Sequence, residues 1–223
     1  MRDMAIAMRH WLGAKKYQVG QTIRALAYRT PTPWGRSVVT SFWEEQATII
    51  HQQWGEDTHD FALLATLFRK YATPDVPLSI LDVGCGSGRL FGLYQAQGVN
   101  DIVGLDISEK ALALANQRYP GVQTIQGKVE DLDFPADRFS LAICNRVLQH
   151  IPPTMIAEAI GKLCRICRMV YVNELTDSDQ LREEFFMFRH DYPAFFAEHG
   201  LYLAESGTIG KQTYYLYAAN SNP

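Results

Sequence analysis

Apolar positions change their period near residue 78. Before it, residues 3–28 and 41–72 carry apolar side chains at helical spacing, as in Phe61, Leu64, Leu67 and Phe68. Thr30-Pro31-Thr32-Pro33-Trp34-Gly35 separates the two stretches, and Thr73-Pro74-Asp75-Val76-Pro77 closes the second; neither can stay helical. Residues 1–75 therefore read as a helical lid or extension and residues 76–223 as the core. From Leu78 onward short apolar runs alternate with helical patterns, as in a parallel sheet covered on both faces. The pattern predicts strands at Leu78–Val83, Asp101–Asp106, Val122–Gln126, Arg138–Asn145 and Met169–Glu174. Helices are predicted at Arg89–Gln97, after an N-capping Ser108, at Thr154–Arg168, around Gln180–Phe188 and from Pro193 to His199. Leu201–Glu205 and Thr213–Ala218 follow, joined by a connection too short for a parallel crossover, so they must pair antiparallel.

Composition narrows the class. A chain of 223 residues, 47% hydrophobic and 20% charged, can bury a substantial core. Its net charge of −3 gives no global field for nucleic acid, and no apolar run reaches the ~20 residues of a membrane span. Four cysteines in a chain this long read as reduced thiols, and Arg2, Asp3, Arg9 and His10 interrupt any secretory core, so a cytoplasmic location is expected. Residues 1–40 are the exception: seven basic side chains stand against Asp3 alone, a net +6. Transit peptides also start this way, but a solvated basic face is the simpler reading; a second possibility is that these charges draw in an acidic acceptor.

The chemistry gathers at Ile80-Leu81-Asp82-Val83-Gly84-Cys85-Gly86-Ser87-Gly88-Arg89, a buried strand running into a glycine-rich turn and a helix. Glycines admit a ligand close to the backbone, and a helix N-terminus offers unpaired N–H groups. Asp106 ends the next strand 18 residues after Gly88, where a carboxylate can accept both hydroxyls of a ribose. It could instead cap the following helix, a task Ser108 already fits. Neither the Gly-x-Gly-x-x-Gly dinucleotide spacing nor a lysine-bearing phosphate loop is present.

These residues, followed by Gly104-Leu105-Asp106-Ile107-Ser108, resemble the first two motifs of class I S-adenosylmethionine-dependent methyltransferases. Gln126–Phe134 is similar to that family's adenine-binding segment, and Phe139–Ile151 to its fourth strand and cofactor-lining loop. The resemblance covers roughly residues 78–218 and implies a Rossmann-like α/β fold with a seven-stranded, mainly parallel sheet whose last strand is antiparallel. It implies S-adenosyl-L-methionine as cofactor, with Gly84, Cys85 and Gly86 around the methionine portion and Asp82 at its amino group. Asp106 would bind the ribose, Ile107 the adenine face, Val129 and Glu130 the adenine edge, and Asn145 the methionine end. Lys128 stands where the family often has Asp; lysine offers no acceptor, so adenine must be read by backbone groups or Glu130.

A base is needed only if the methyl acceptor keeps a proton. His150, Glu174 and His190 are the candidates, with Trp43 and Tyr192 as substrate contacts. Each has a plain structural alternative: a helix-end role for His150, a cap or surface charge for Glu174, a hinge for His190-Asp191-Tyr192, and lid packing for Trp43 and Trp54. Cys164-x-x-Cys167 lacks a second pair, so no metal site is expected; both thiols should lie on one face of a helix against the sheet. The expectation is a methyltransferase acting on an oxygen or nitrogen of a small molecule, without nucleic acid or membrane partners. A protein acceptor and a non-catalytic, cofactor-binding partner subunit are the alternatives.

Overall fold

The computed structural model describes residues 26, 38–47, 59–71, 77–175 and 187–219. Helix α1 covers 38–47 and α2 His59–Tyr71. Then follow β1 (Ser79–Val83), α3 (Phe91–Ala96), β2 (Asp101–Asp106), α4 (Glu109–Arg118), β3 (Gln123–Gln126) and β4 (Phe139–Asn145). The chain ends in α5 (Ile156–Ile166), β5 (Cys167–Leu175), α6 (Tyr192–Glu198), β6 (Leu201–Ile209) and β7 (Gln212–Ala219). One seven-stranded sheet results, in the order β3-β2-β1-β4-β5-β7-β6, with β7 antiparallel to both neighbours. The fold expected from the alternating pattern is thus present, including the terminal hairpin. Gly210, at φ +58°, makes its two-residue connection.

Strand alternation gives the sheet two cores. Leu81, Val83, Ala142, Cys144, Val170 and Val172 face α5 and α6, where Ile160, Leu163 and Phe196 meet them. Ile80, Ile102, Leu141, Ile143 and Tyr171 face the other way, against Leu64, Leu67 and Phe68 of α2, Phe91 and Tyr94 of α3, and Leu112 of α4. Lys70 of α2 also pairs with Glu205 of β6.

Ser108 caps α4 as expected, accepting from the Ala111 N–H at 3.1 Å. Two expectations are corrected. Helix α5 stops at Ile166, and Cys167 opens β5, so Cys164 and Cys167 lie on different elements and not on one helix face. The strand-forming run Val170-Tyr171-Val172 takes the chain into the centre of the sheet, two residues earlier than the pattern suggested. Phe188 lies outside any helix, while the rest of the predicted Gln180–Phe188 helix falls largely outside the described residues. So do Trp54, the 75/76 boundary and the basic residues Lys15, Lys16 and Arg24. Among the described residues no helix is long and apolar enough to cross a membrane, and no three His, Cys, Asp or Glu side chains group as metal ligands.

Candidate active site

Strand order reverses at β1: the chain goes from β1 to β2 on one side, and β4 pairs on the other. A crevice opens outside the carboxyl ends of strands at such a point. Register aligns Val83 with Leu105 and Cys144, so the glycine turn, Asp106 and Asn145 emerge at one edge.

The turn is built for close approach. Gly84 is exposed at φ +66°, and a Cβ there would strike Val147 Cγ2 at 2.4 Å, so the loop after β4 lies directly against it. Gly86, at φ +54°, faces open space. Cys85 instead turns its side chain inward, where Sγ sits against Gly104; a Cβ on Gly104 would meet it at 2.8 Å and Phe91 at 2.5 Å. Only the backbone of Cys85 is therefore placed to meet a ligand, and its N–H donates to Leu105 O.

Asp106 ties these pieces together. Its Oδ2 accepts from the Gly86 N–H at 2.9 Å and its Oδ1 from the Ser108 N–H at 2.8 Å. Burial nevertheless pushes its carboxyl up, opposed by those backbone donors. Each carboxylate oxygen retains a lone pair for a further donor. The link to Gly86 is neither a ribose contact nor a helix cap.

Asp82 is 2% exposed, with Oδ2 buried and without a hydrogen-bond partner. Loss of solvent raises its pKa to about 7. Ile107 is half-buried and its carbonyl accepts from Gln126 Nε2; Val129 and Glu130 are buried on a short helical turn, Val129–Asp131, beside the crevice. Asn145 Oδ1 accepts from Asn173 Nδ2 at 3.3 Å. Arg146 follows in a left-handed conformation, φ +60°, and donates its N–H to Asn173 O at 2.7 Å. A non-glycine residue in that region marks a constrained turn.

The helical turn Leu148–His150 gathers the remaining candidates. Glu174 lies beneath it, 4% exposed, with Oε1 accepting from the Gln149 N–H and Oε2 unpartnered. Burial carries its pKa to about 8, so it is a neutral anchor for this turn at ordinary pH. Gln149 Oε1 accepts from the Leu175 N–H at 3.0 Å, which aims its Nε2 donor at His150 Nε2, 3.2 Å away. His150 Nε2 is thereby assigned as the acceptor nitrogen, its lone pair engaged. Trp43 of α1 meets the His150 ring edge-on at 4.7 Å between centroids. His190 packs on the other side of the turn, donating Nε2–H to Ile151 O at 3.0 Å, and its ring lies 5.6 Å from Tyr192. Tyr192 begins α6 behind its N-cap Asp191; its hydroxyl is buried without a partner, and burial holds the phenol protonated.

Helix α1 reaches both rims of the crevice. While Trp43 touches His150, the neighbouring Glu44 carboxylate accepts from the Ser108 hydroxyl at 3.2 Å and from the Glu109 N–H at the start of α4. An acid at a helix N-terminus satisfies its unpaired donors. Nothing in the sequence distinguishes Glu44 from an exposed helical glutamate.

Comparison with known proteins agrees with this geometry. The family described as "Methyltransferase domain" matches residues 80–169. An uncharacterised methyltransferase of Synechocystis is 33% identical over 98 residues, 44% of this chain and 46% of that protein. The chain spans less than half the length of the curated relatives it matches. Magnesium protoporphyrin IX methyltransferase from Synechocystis, solved with bound S-adenosylhomocysteine, shares the fold at a TM-score of 0.67 and 16% identity, covering 83% of this chain and all of that one. The 1,6-didemethyltoxoflavin-N1-methyltransferase of Burkholderia thailandensis does so at 0.67 and 15%, over 85% and 91%. With the glycine turn, Asp106 and the sheet order in place, residues 80–169 match a methyltransferase domain, and the chain shares the fold of these methyltransferases.

Proposed function

We propose that this protein transfers a methyl group from S-adenosylmethionine to an oxygen or nitrogen of a small molecule. The observation that carries the reading is the Asp106 carboxylate joined to Gly86, which fixes an acid and an open glycine backbone side by side at the strand-order reversal. The residues fit the cofactor: Gly86 has open space for it, and the unpartnered Asp82 Oδ2 suits a cationic amino group. Gly84, the Cys85 backbone, Gly86 and Asn145 would hold the methionine portion, Asp106 the ribose, and Ile107, Val129 and Glu130 the adenine. Bound there, the sulfonium supplies an already activated methyl group, so the chain's main work is orientation and exclusion of water. Helix α1, fastened at His150 and at Ser108, serves as the lid.

Among the three candidate bases, lone-pair accounting favours His190. Its Nε2–H is held by the Ile151 carbonyl, and burial lowers its pKa against the backbone partners Ile151 and Leu148, which favours the neutral ring that a base requires. His150 has its acceptor nitrogen engaged by Gln149, and with Trp43 it is better placed to shape the acceptor pocket. Glu174 positions the turn from below. Steady-state kinetics separate these roles. His190→Gln should lower kcat by about 10²–10⁴ with KM little changed. His150→Gln should act mainly on KM for the acceptor. In wild type, rate loss on acidification should begin below the usual imidazole value of 6.5. Equal kcat for His190→Gln and wild type would remove His190 from the chemistry.

A small acceptor is favoured because the two structural neighbours are named for small-molecule substrates. Incubation with S-adenosylmethionine and either the small-molecule or the macromolecular fraction of a cell extract tests this. S-adenosylhomocysteine should accumulate only with the former. Accumulation only with the latter would favour a protein acceptor, and none with either the partner-subunit reading.

A further inference from the structure

Asp82 lies at the end of β1 on the face that packs against α2, α3 and α4, beside Tyr94 of α3. Two buried polar atoms on that face, Asp82 Oδ2 and the Tyr94 hydroxyl, are both without hydrogen-bond partners. They act on each other nonetheless: the hydroxyl favours the Asp82 anion, while burial and, after it, the Asp82 carboxyl keep the phenol protonated. The other groups near Asp82 are Arg89 of the turn, which favours its charge, Asp106 of β2, which opposes it, and the buried Cys85 thiol, with Cys144 of β4 on the opposite face of the sheet. Among the described residues no ion pair to the carboxyl forms. A carboxylate buried in this way neutralises itself by keeping its proton. An arriving ammonium group reverses that balance, since an opposite charge within a few ångströms favours ionisation.

On the cofactor reading given above, we propose that Asp82 is a proton switch. In the ligand-free protein it keeps its proton on the acid side of neutrality and releases it to solvent when the cofactor's α-ammonium group binds, and Tyr94 then donates its O–H to the carboxylate so formed. The ammonium keeps all its protons, and the Asp82 O–H is the bond that breaks. Cofactor affinity should therefore rise with pH until Asp82 is ionised in the free protein as well. Tyr94 is a positioning residue: it touches Asp82 and reaches the cofactor only through it.

Calorimetric titration with S-adenosylhomocysteine at pH 6.5, in buffers of different ionisation enthalpy, counts the protons. With Asp82 near 7 in the free protein, about three quarters of a proton should leave per ligand bound. The observed enthalpy should then become more exothermic as the buffer's ionisation enthalpy increases. 5′-Methylthioadenosine, which lacks the amino-acid portion, should release none. Asp82→Asn should bind S-adenosylhomocysteine more weakly and also release none. Tyr94→Phe should move the pH range of release upward, because the hydroxyl that eases ionisation is gone. Equal proton release from Asp82→Asn and wild type, or binding to wild type without release, would overturn the switch and leave the cofactor reading intact. No binding of S-adenosylhomocysteine to wild type would overturn both.

Discussion

Replacing Asp106 with alanine should weaken S-adenosylhomocysteine binding by well over tenfold. Two charge-assisted hydrogen bonds to a ribose are at stake, each worth about 1.5–3 kcal/mol, and every 1.4 kcal/mol is a factor of ten. The loss does not end with the ribose. Alanine also releases the Gly86 and Ser108 N–H groups, both now held by this carboxylate. Asp106→Asn should not restore affinity, because its amide group would set a donor against one of those two donors. Calorimetry on variants with wild-type circular dichroism decides the point, and unchanged affinity in Asp106→Ala would remove this residue from the site.

Glutamine at position 174 should stabilise the ligand-free protein in alkaline solution and do little in acid. Glu174 rises from 4.5 to about 8 on folding because burial disfavours its charge. Its folded pKa lies above its unfolded value, so between those limits the unfolded chain binds fewer protons than the native one. Stability is then fully present below 4.5 and falls as pH rises toward 8, at up to ~1.4 kcal/mol per pH unit for each such group. Asp82, moved from 3.8 to about 7, adds a loss of the same sign over a lower range. Glu174→Gln keeps an oxygen for the Gln149 N–H and carries no charge to bury. Thermal unfolding should show the variant several degrees above wild type at pH 8.5 and close to it at pH 4.5. A wild type equally stable at both values would show that these carboxyls ionise in the fold without penalty.

The sequence was most readable where a local signal coincided with a structural requirement. The change of hydrophobic period at Leu78 marks the start of the sheet, and the short Ile209-to-Gln212 connection forces the antiparallel hairpin. Ser108 is a cap because a helix-forming run, Glu109-Lys110 and then alternating Ala and Leu, follows it. What stayed hidden depends on pairs distant in the chain. Tyr94 looks like one more apolar residue of α3 until Asp82 comes up beside it from β1. Glu44 acquires a partner only when α1 meets α4, 64 residues further on. Cys164 and Cys167 have helical spacing, and the spacing misleads because pairing with β4 claims Cys167 for the sheet. His150 and His190 look equivalent as bases in sequence, and only their backbone and Gln149 partners assign which nitrogen of each is committed.

The central claim is that one cofactor site spans the glycine turn, the end of β2 and the loop after β4. Backbone amide chemical-shift mapping during titration with S-adenosylhomocysteine tests it most directly. Saturable shifts are expected at Gly84, Cys85, Gly86, Ile107, Glu130 and Asn145, with the β6–β7 hairpin tip around Gly210 unmoved. Saturable binding whose shifts spare Gly84–Gly86 and Ile107 would contradict the claim.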